Sequence, residues 1–282
     1  NLGHNMSVDL YVESVIVGAK LVIVRLLGGQ SYWSYGVEQI SAECSRRGIP
    51  LALLPGDDQP DAELVTLSTL GSQACHKLWQ YCVHGGPFNA QHFLNFAASI
   101  IDKRFKWLEP QPLLRAGVYK VGEGNVELGV LRQDWLVGQP TVVFVFYRAL
   151  VQGDNTKAVE ALISGLQDVG FNVLPIFVAS LKDSVASAIL EELLLEEVPD
   201  VIINSTGFAV SSPGVSRIPT PFNHSGATVL QVVFSSSSME SWLNGLYGLS
   251  ARDIAMNVAL PEVDGHVLSR AVSFKGSSRR DE

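Results

Sequence analysis

The sequence predicts an α/β protein made of two open, parallel, doubly wound sheets of the flavodoxin or periplasmic-binding-protein kind, each flanked by helices. Three observations carry that expectation. Short β-branched runs alternate with longer helical patterns, as βαβ units require. The runs end in clusters of Gly, Pro, Asp or Ser, where a strand hands over to a loop. Hydrophobic residues make up 47% of the 282 positions and charged ones 17%, the profile of a chain with a large buried core.

The first strand reads at 20–27 and stops at Gly28-Gly29. A helix over 35–47 follows, closed by Gly48 at a position where the left-handed conformation costs glycine little. A second strand at 50–54 ends in Pro55-Gly56-Asp57-Asp58, and helices are predicted over 61–84 and 90–103. Pro110, Pro112, Gly117, Gly122, Gly124 and Gly138 then break the rhythm. Residues 1–112 are therefore expected as one unit, 113–138 as a connection and 139–282 as a second unit. That second unit reads as a strand at 141–146, a helix over 156–169 capped by Asn155, a strand at 172–178, a helix over 182–197 and a strand at 200–204. A strand at 228–234 leads into Ser235, Ser236, Ser237 and Ser238, one of whose hydroxyls is expected to cap a helix starting near Met239. The last strand spans 267–274. Ligands of open parallel sheets sit beyond the carboxyl ends of the strands, so a site is sought in 28–36, 55–60, 147–155, 180–183, 204–213 and 235–238.

Charge narrows the partners. A net charge of −8 argues against nucleic acid and anionic membrane surfaces, because phosphate contacts need clustered Lys and Arg. Arg46-Arg47 and Arg279-Arg280 are too short for that purpose. No apolar run reaches 18 residues, so no membrane span is predicted. Cys44, Cys75 and Cys82 form neither an even framework nor a CxxC pair, which fits a reducing cytoplasm. Both ends, without an initiating Met or a signal peptide, read as cuts through a longer chain.

Motifs for direct chemistry are sparse. His4, His76, His84, His92, His224 and His266 are scattered, with no metal-ligand spacing. Gly28-Gly29 completes neither GxGxxG nor a P-loop and reads as a tight turn, so any ATP is expected on another protein. No GxSxG elbow surrounds the serine run. Asp57 and Asp58 end a strand, while Glu262, Asp264 and His266 stand close together in Pro261-Glu262-Val263-Asp264-Gly265-His266. Such an acid, acid, imidazole set can accept ring protons or guide a cation. The first reading of these residues is nevertheless a turn held by Asx hydrogen bonds.

Several stretches resemble one family. They include Leu21-Val22-Ile23-Val24-Arg25-Leu26-Leu27-Gly28-Gly29, Ser31-Tyr32-Trp33, Leu54-Pro55-Gly56-Asp57-Asp58-Gln59-Pro60 and Phe146-Tyr147-Arg148-Ala149-Leu150. Others are Thr206-Gly207-Phe208-Ala209-Val210 and the run from Gly248-Leu249-Ser250-Ala251-Arg252-Asp253 through Met256-Asn257-Val258-Ala259-Leu260-Pro261-Glu262-Val263-Asp264-Gly265 to Ser273-Phe274-Lys275. Together they resemble the large subunit of the aerobic, ATP-dependent cobaltochelatases, which is related to the large subunit of magnesium chelatase. The resemblance covers nearly the whole chain and is weakest at 113–138.

The resemblance implies an internal fragment of a corrin-binding subunit several times longer. It implies cobalt insertion into hydrogenobyrinic acid a,c-diamide in cobalamin biosynthesis, a ligase reaction. An AAA+ ATPase and a further small subunit would be the partners, binding ATP and magnesium, and the catalytic residues would lie outside this fragment, leaving it inactive alone. For the corrin, Tyr32, Trp33, Tyr35 and Tyr147 offer aromatic walls and Arg148 a guanidinium fork, with Glu262, Asp264 and His266 as further contacts. The same side chains also suit packing between domains. Magnesium insertion into a porphyrin, or a non-catalytic module that binds a tetrapyrrole or another small ligand, are the other readings.

Overall fold

The computed structural model describes residues 2–212, 218–246 and 248–276, so Arg279-Arg280 and the end of the 204–213 segment lie outside the described residues. The chain divides into two compact units, 1–113 and 114–282. It is a mixed α/β protein whose sheets are rich in parallel pairs.

The first unit runs α1 (Asn5–Ser14), β1 (Val22–Leu26), α2 (Ser34–Arg47), β2 (Leu51–Pro55), α3 (Ala62–Leu67), α4 (Ser72–His84) and α5 (Gly86–Ile101). β1 and β2 pair in parallel, Val22 opposite Leu51 through Leu26 opposite Pro55. Every residue of β2 is buried, and alternate side chains enter different cores, as the period of two demands. Leu51 and Leu53 join Val37, Ile40 and Cys44 of α2 and Leu64 of α3. Ala52 and Leu54 join Leu78 and Tyr81 of α4 and Phe96 of α5. Gly48 closes α2 at φ 68°, with its N–H reaching Cys44 and Ser45.

One element appears here that was not expected, and one expectation changes. The sequence pattern does not announce α1. The helix expected over 61–84 is two helices, because residues 68–70 leave helical geometry to cover the outer edge of β2. Thr69 Oγ1 accepts from Leu51 N (2.7 Å) and Ser68 Oγ from Leu53 N (2.9 Å). The N–H groups of Thr69 and Leu70 in turn both donate to Leu51 O (3.0 Å).

The second unit begins with β3 (Ala116–Lys120), β4 (Gly124–Val126) and α6 (Leu128–Arg132). Next come β5 (Thr141–Tyr147), α7 (Arg148–Gln152), α8 (Lys157–Asp168), β6 (Asn172–Val178), α9 (Ser184–Glu196), β7 (Val201–Asn204) and β8 (Thr228–Ser238). α10 (Met239–Asn244), α11 (Ala251–Ile254), a π-helical turn over Ala255–Ala259, α12 (Leu260–Val263) and β9 (Val267–Lys275) complete it. Among the described residues, seven strands form one sheet in the order β4-β3-β6-β5-β7-β8-β9. From β6 to β9 all pairs are parallel, whereas β3 runs antiparallel to both β6 and β4. The second sheet is therefore mixed, and residues 113–138 do not form a free connection. Gly122 (φ 79°) and Gly124 (φ 81°) are hairpin positions that let the β3–β4 ribbon add to the sheet.

β5 lies inside the sheet and is apolar from Val142 to Phe146, the pattern of a strand covered on both faces. Val143 and Val145 share a core with Leu174 and Ile176 of β6 and with Leu190 and Leu194 of α9. Phe144 and Phe146 point the other way, the Phe146 ring 5.7 Å from Tyr119 and the Phe144 ring 6.3 Å from Phe234. On that side Tyr119 Oη donates to Glu160 Oε1 of α8 (2.6 Å). Burial, with that carboxylate, pushes the Tyr119 phenol up to about 12.

Candidate functional site

Asn204 and Gln231 are register partners at the carboxyl end of β7 and on β8, and both are buried. Asn204 Nδ2 donates to Gln231 Oε1 (2.9 Å), and Gln231 Nε2 donates to Thr206 O (2.9 Å). Asn204 Oδ1 accepts from the Thr206 hydroxyl (2.9 Å). Ser205 turns back on β5, its N–H (2.9 Å) and hydroxyl (3.1 Å) both donating to Val145 O. Buried amides cost free energy unless paired, so this closed set of partners fixes where the chain leaves β7.

The loop beyond is pinned from three directions. Tyr147, at the end of β5, donates its hydroxyl to Gly207 O (2.8 Å), and burial pushes its phenol pKa up. Phe208 N donates to Met256 O in the π-helical turn (2.9 Å). Asp264 is fully buried and accepts from Val210 N (2.6 Å) and Ser211 N (3.0 Å). Gly207 fits because a Cβ there would stand 2.8 Å from both Asn257 Oδ1 and Met256 O. Phe208 adopts φ 65°, left-handed, with 51% of its surface exposed.

The end of β8 carries a second anchored carboxylate. Asp253 accepts from the Ser235 hydroxyl (2.8 Å) and Ser236 N (3.0 Å), and its own N–H donates to the Ser250 hydroxyl that caps α11 (3.1 Å). Burial alone would raise its pKa, but the hydrogen bonds from Ser235, Ser236 and Ser250 outweigh it and hold the carboxyl below its ordinary range. Ser238 caps α10, accepting from Ser241 N (3.1 Å), as the serine run predicts. Near the amino ends of β8 and β9 lies a cavity of about 290 Å³, lined by Thr220, Phe222, Asn223 and His266 among others.

In the first unit an apolar cavity of about 380 Å³ opens beside the carboxyl end of β2, between Leu54, Pro60, Val65, Cys75, His76 and Trp79. A more polar one of about 340 Å³, lined by Gly28, Gly29 and Asp57, shares Pro55, Pro60, Asp61 and Ala62 with it. Asp61 caps α3, accepting from Glu63 N and Leu64 N, while Asp57 accepts from Gln59 N (3.1 Å). Among the described residues no three His, Cys, Asp or Glu side chains gather as a metal site, and no helix is long and apolar enough to cross a membrane.

Comparison with known proteins adds the lineage. A family model described as CobN/Magnesium Chelatase matches residues 79–282. The chain belongs to this family. It is 47% identical over its whole length to the aerobic cobaltochelatase subunit CobN of a Sinorhizobium species, and 40% identical to the subunit of that name from Pseudomonas aeruginosa. It covers 23% and 22% of those two proteins, so it spans less than a quarter of their length. Similarity to the chloroplastic magnesium-chelatase subunit ChlH of rice is lower, 28% over 76% of this chain and 17% of that protein. Among solved structures, the catalytic subunit of cobaltochelatase from Mycobacterium tuberculosis superposes with a TM-score of 0.72 at 25% identity, covering 96% of this chain and 22% of that one.

Within this CobN/magnesium chelatase fold, the residues singled out from sequence fall into separate places. Tyr147 and Asp264 converge on the loop after β7. Glu262 is exposed, while His266 is buried with its ring 5.5 Å from Phe222. Arg148 directs Nε at Leu114 O (2.8 Å). Tyr32, Trp33 and Tyr35 belong to the first unit. Tyr32 is 81% exposed, Trp33 donates Nε1 to Leu2 O (2.8 Å), and Tyr35 donates to Asp9 Oδ1 (2.8 Å). The Asp9 hydrogen bond favours the neutral phenol and raises the Tyr35 pKa. Sequence reasoning included Asn204 only as the start of the 204–213 segment and did not single out Gln231 or Asp253 as site residues. A carboxamide closing a β-branched strand, as Asn204 closes Val201-Ile202-Ile203, was the available signal.

Proposed function

We propose that this chain is part of the corrin-holding large subunit of an ATP-dependent cobaltochelatase working in the cytoplasm. The observation that carries this reading is the 47% identity, end to end, to a cobaltochelatase subunit, against 28% to the rice magnesium-chelatase subunit. The reaction is insertion of Co(II) into hydrogenobyrinic acid a,c-diamide, with the displaced ring N–H protons released. Cobalt is a substrate. ATP and magnesium belong to a partner AAA+ subunit, assisted by a further small subunit. The strand order from β6 to β9, with β5 between β6 and β7, supports a doubly wound sheet whose crevice opens where the order reverses, beyond the ends of β5 and β7. In this reading the pinned loop after β7 and the Tyr147 hydroxyl form one wall of that crevice, and the insertion chemistry is supplied elsewhere in the longer subunit.

The test is an insertion assay with the full native chain, its partner subunits, ATP and the corrin, following the absorbance change on adding Co(II) or Mg(II). The expected result is a change that needs both Co(II) and ATP. Magnesium insertion into a porphyrin under the same conditions would move the chain to the magnesium branch. Binding of the corrin with no insertion would make it a binding module.

A further inference from the structure

Phe208 occupies a backbone position that calls for glycine or asparagine. At φ 65° the Cβ of an L-residue crowds the following carbonyl, and a bulky side chain there is uncommon. Packing usually compensates for such strain, yet half of this side chain faces solvent. The conformation is imposed from outside the residue. Tyr147 Oη holds Gly207 O at 2.8 Å, Met256 O holds the Phe208 N–H at 2.9 Å, and Asp264 secures the backbone just beyond. Strain kept in place by its surroundings, beside a π-helical turn, is a feature of binding and catalytic loops. The position matters as much as the strain. Phe208 lies four residues beyond the carboxyl end of β7, in the loop tied to the end of β5, where the parallel strand order reverses.

We propose that Phe208 is a substrate-contacting residue whose exposed ring is a stacking platform for a flat conjugated macrocycle. An aromatic face prefers offset contact with another π system, and a ring fixed before binding loses little freedom on contact. The left-handed backbone turns the side chain out of the loop, and the three anchors keep it there. This inference rests on the chelatase reading, since it takes its ligand from it.

The experiment titrates the full native chain with hydrogenobyrinic acid a,c-diamide by the ligand's own visible absorbance, for wild type, F208G, F208N and F208Y. Glycine and asparagine accept the backbone conformation, so neither lowers the thermal midpoint. Both are expected to weaken binding about tenfold, while F208Y, which keeps the ring, binds as wild type does. An unchanged dissociation constant in F208G, with wild type binding normally, overturns the inference. So does a lowered midpoint in F208G and F208N, because the ring is then a packing element. A wild-type chain that does not bind the corrin defeats the chelatase reading itself.

Discussion

A carboxylate that is 3% exposed is tolerable because its neighbours donate to the charged form, and Asp253 depends on that arrangement. Asp253→Asn places an amide N–H against one of those donors and should destabilise the second unit by about 1–3 kcal/mol in denaturant unfolding. The pH dependence follows from the direction of the shift. The folded pKa is depressed below the unfolded value of about 3.9, so the contribution is complete above that pH and is lost as pH falls through the folded value. Between about pH 5 and pH 2 the wild type should therefore lose stability more steeply than the variant. Gly207→Ala is the complementary case, in which an added methyl meets Met256 O and Asn257 Oδ1 at 2.8 Å. It should cost about 1–3 kcal/mol, because a backbone carbonyl cannot swing aside as a side-chain tip can. At this scale the sequence was only partly readable. Tyr147 was visible as a residue at a strand end and Asp264 as one member of an acid, acid, imidazole set, but Asp264 serves backbone amides more than fifty positions earlier, which spacing along the chain does not reveal.

Elements were legible where burial is two-sided. β6 reads from sequence with the bounds it has in the structure, because a run that is apolar throughout after its first residue, Asn172, admits few alternatives to a covered parallel strand. The break between α3 and α4 was hidden because Ser68 and Thr69 are ordinary residues within a helical pattern. Only the outward amides of β2 explain why the chain straightens there. Thr69→Val tests this. The isostere keeps the shape and removes the acceptor for the N–H of fully buried Leu51, so unfolding should show a loss of about 1–3 kcal/mol, larger than the change at Thr66, whose hydroxyl only donates to Ala62 O of its own helix. The β3–β4 ribbon was misjudged for a different reason. Glycines that serve a linker by freedom serve a hairpin by positive φ, and composition does not separate the two uses.

For the whole molecule, the two units carry separate cores, one built on β1 and β2 and the other on β5 and β6. Leu78→Ala and Leu174→Ala remove fully buried side chains from different cores and should each cost about 2–5 kcal/mol. Hydrogen exchange should then lose protection first in the unit that carries the substitution, β2 in one case and β6 in the other. The covered edge of β2 also bears on how copies of the chain meet one another. Extended peptides zip onto sheets through a row of idle amide hydrogens, and stacking of that kind seeds fibrils. Along β2 the outward-facing N–H groups of Leu51 and Leu53 are already occupied by two hydroxyls of the same chain. A stray strand arriving from that side finds nothing to template on, and two oxygen atoms guard the smaller sheet against growing into an aggregate.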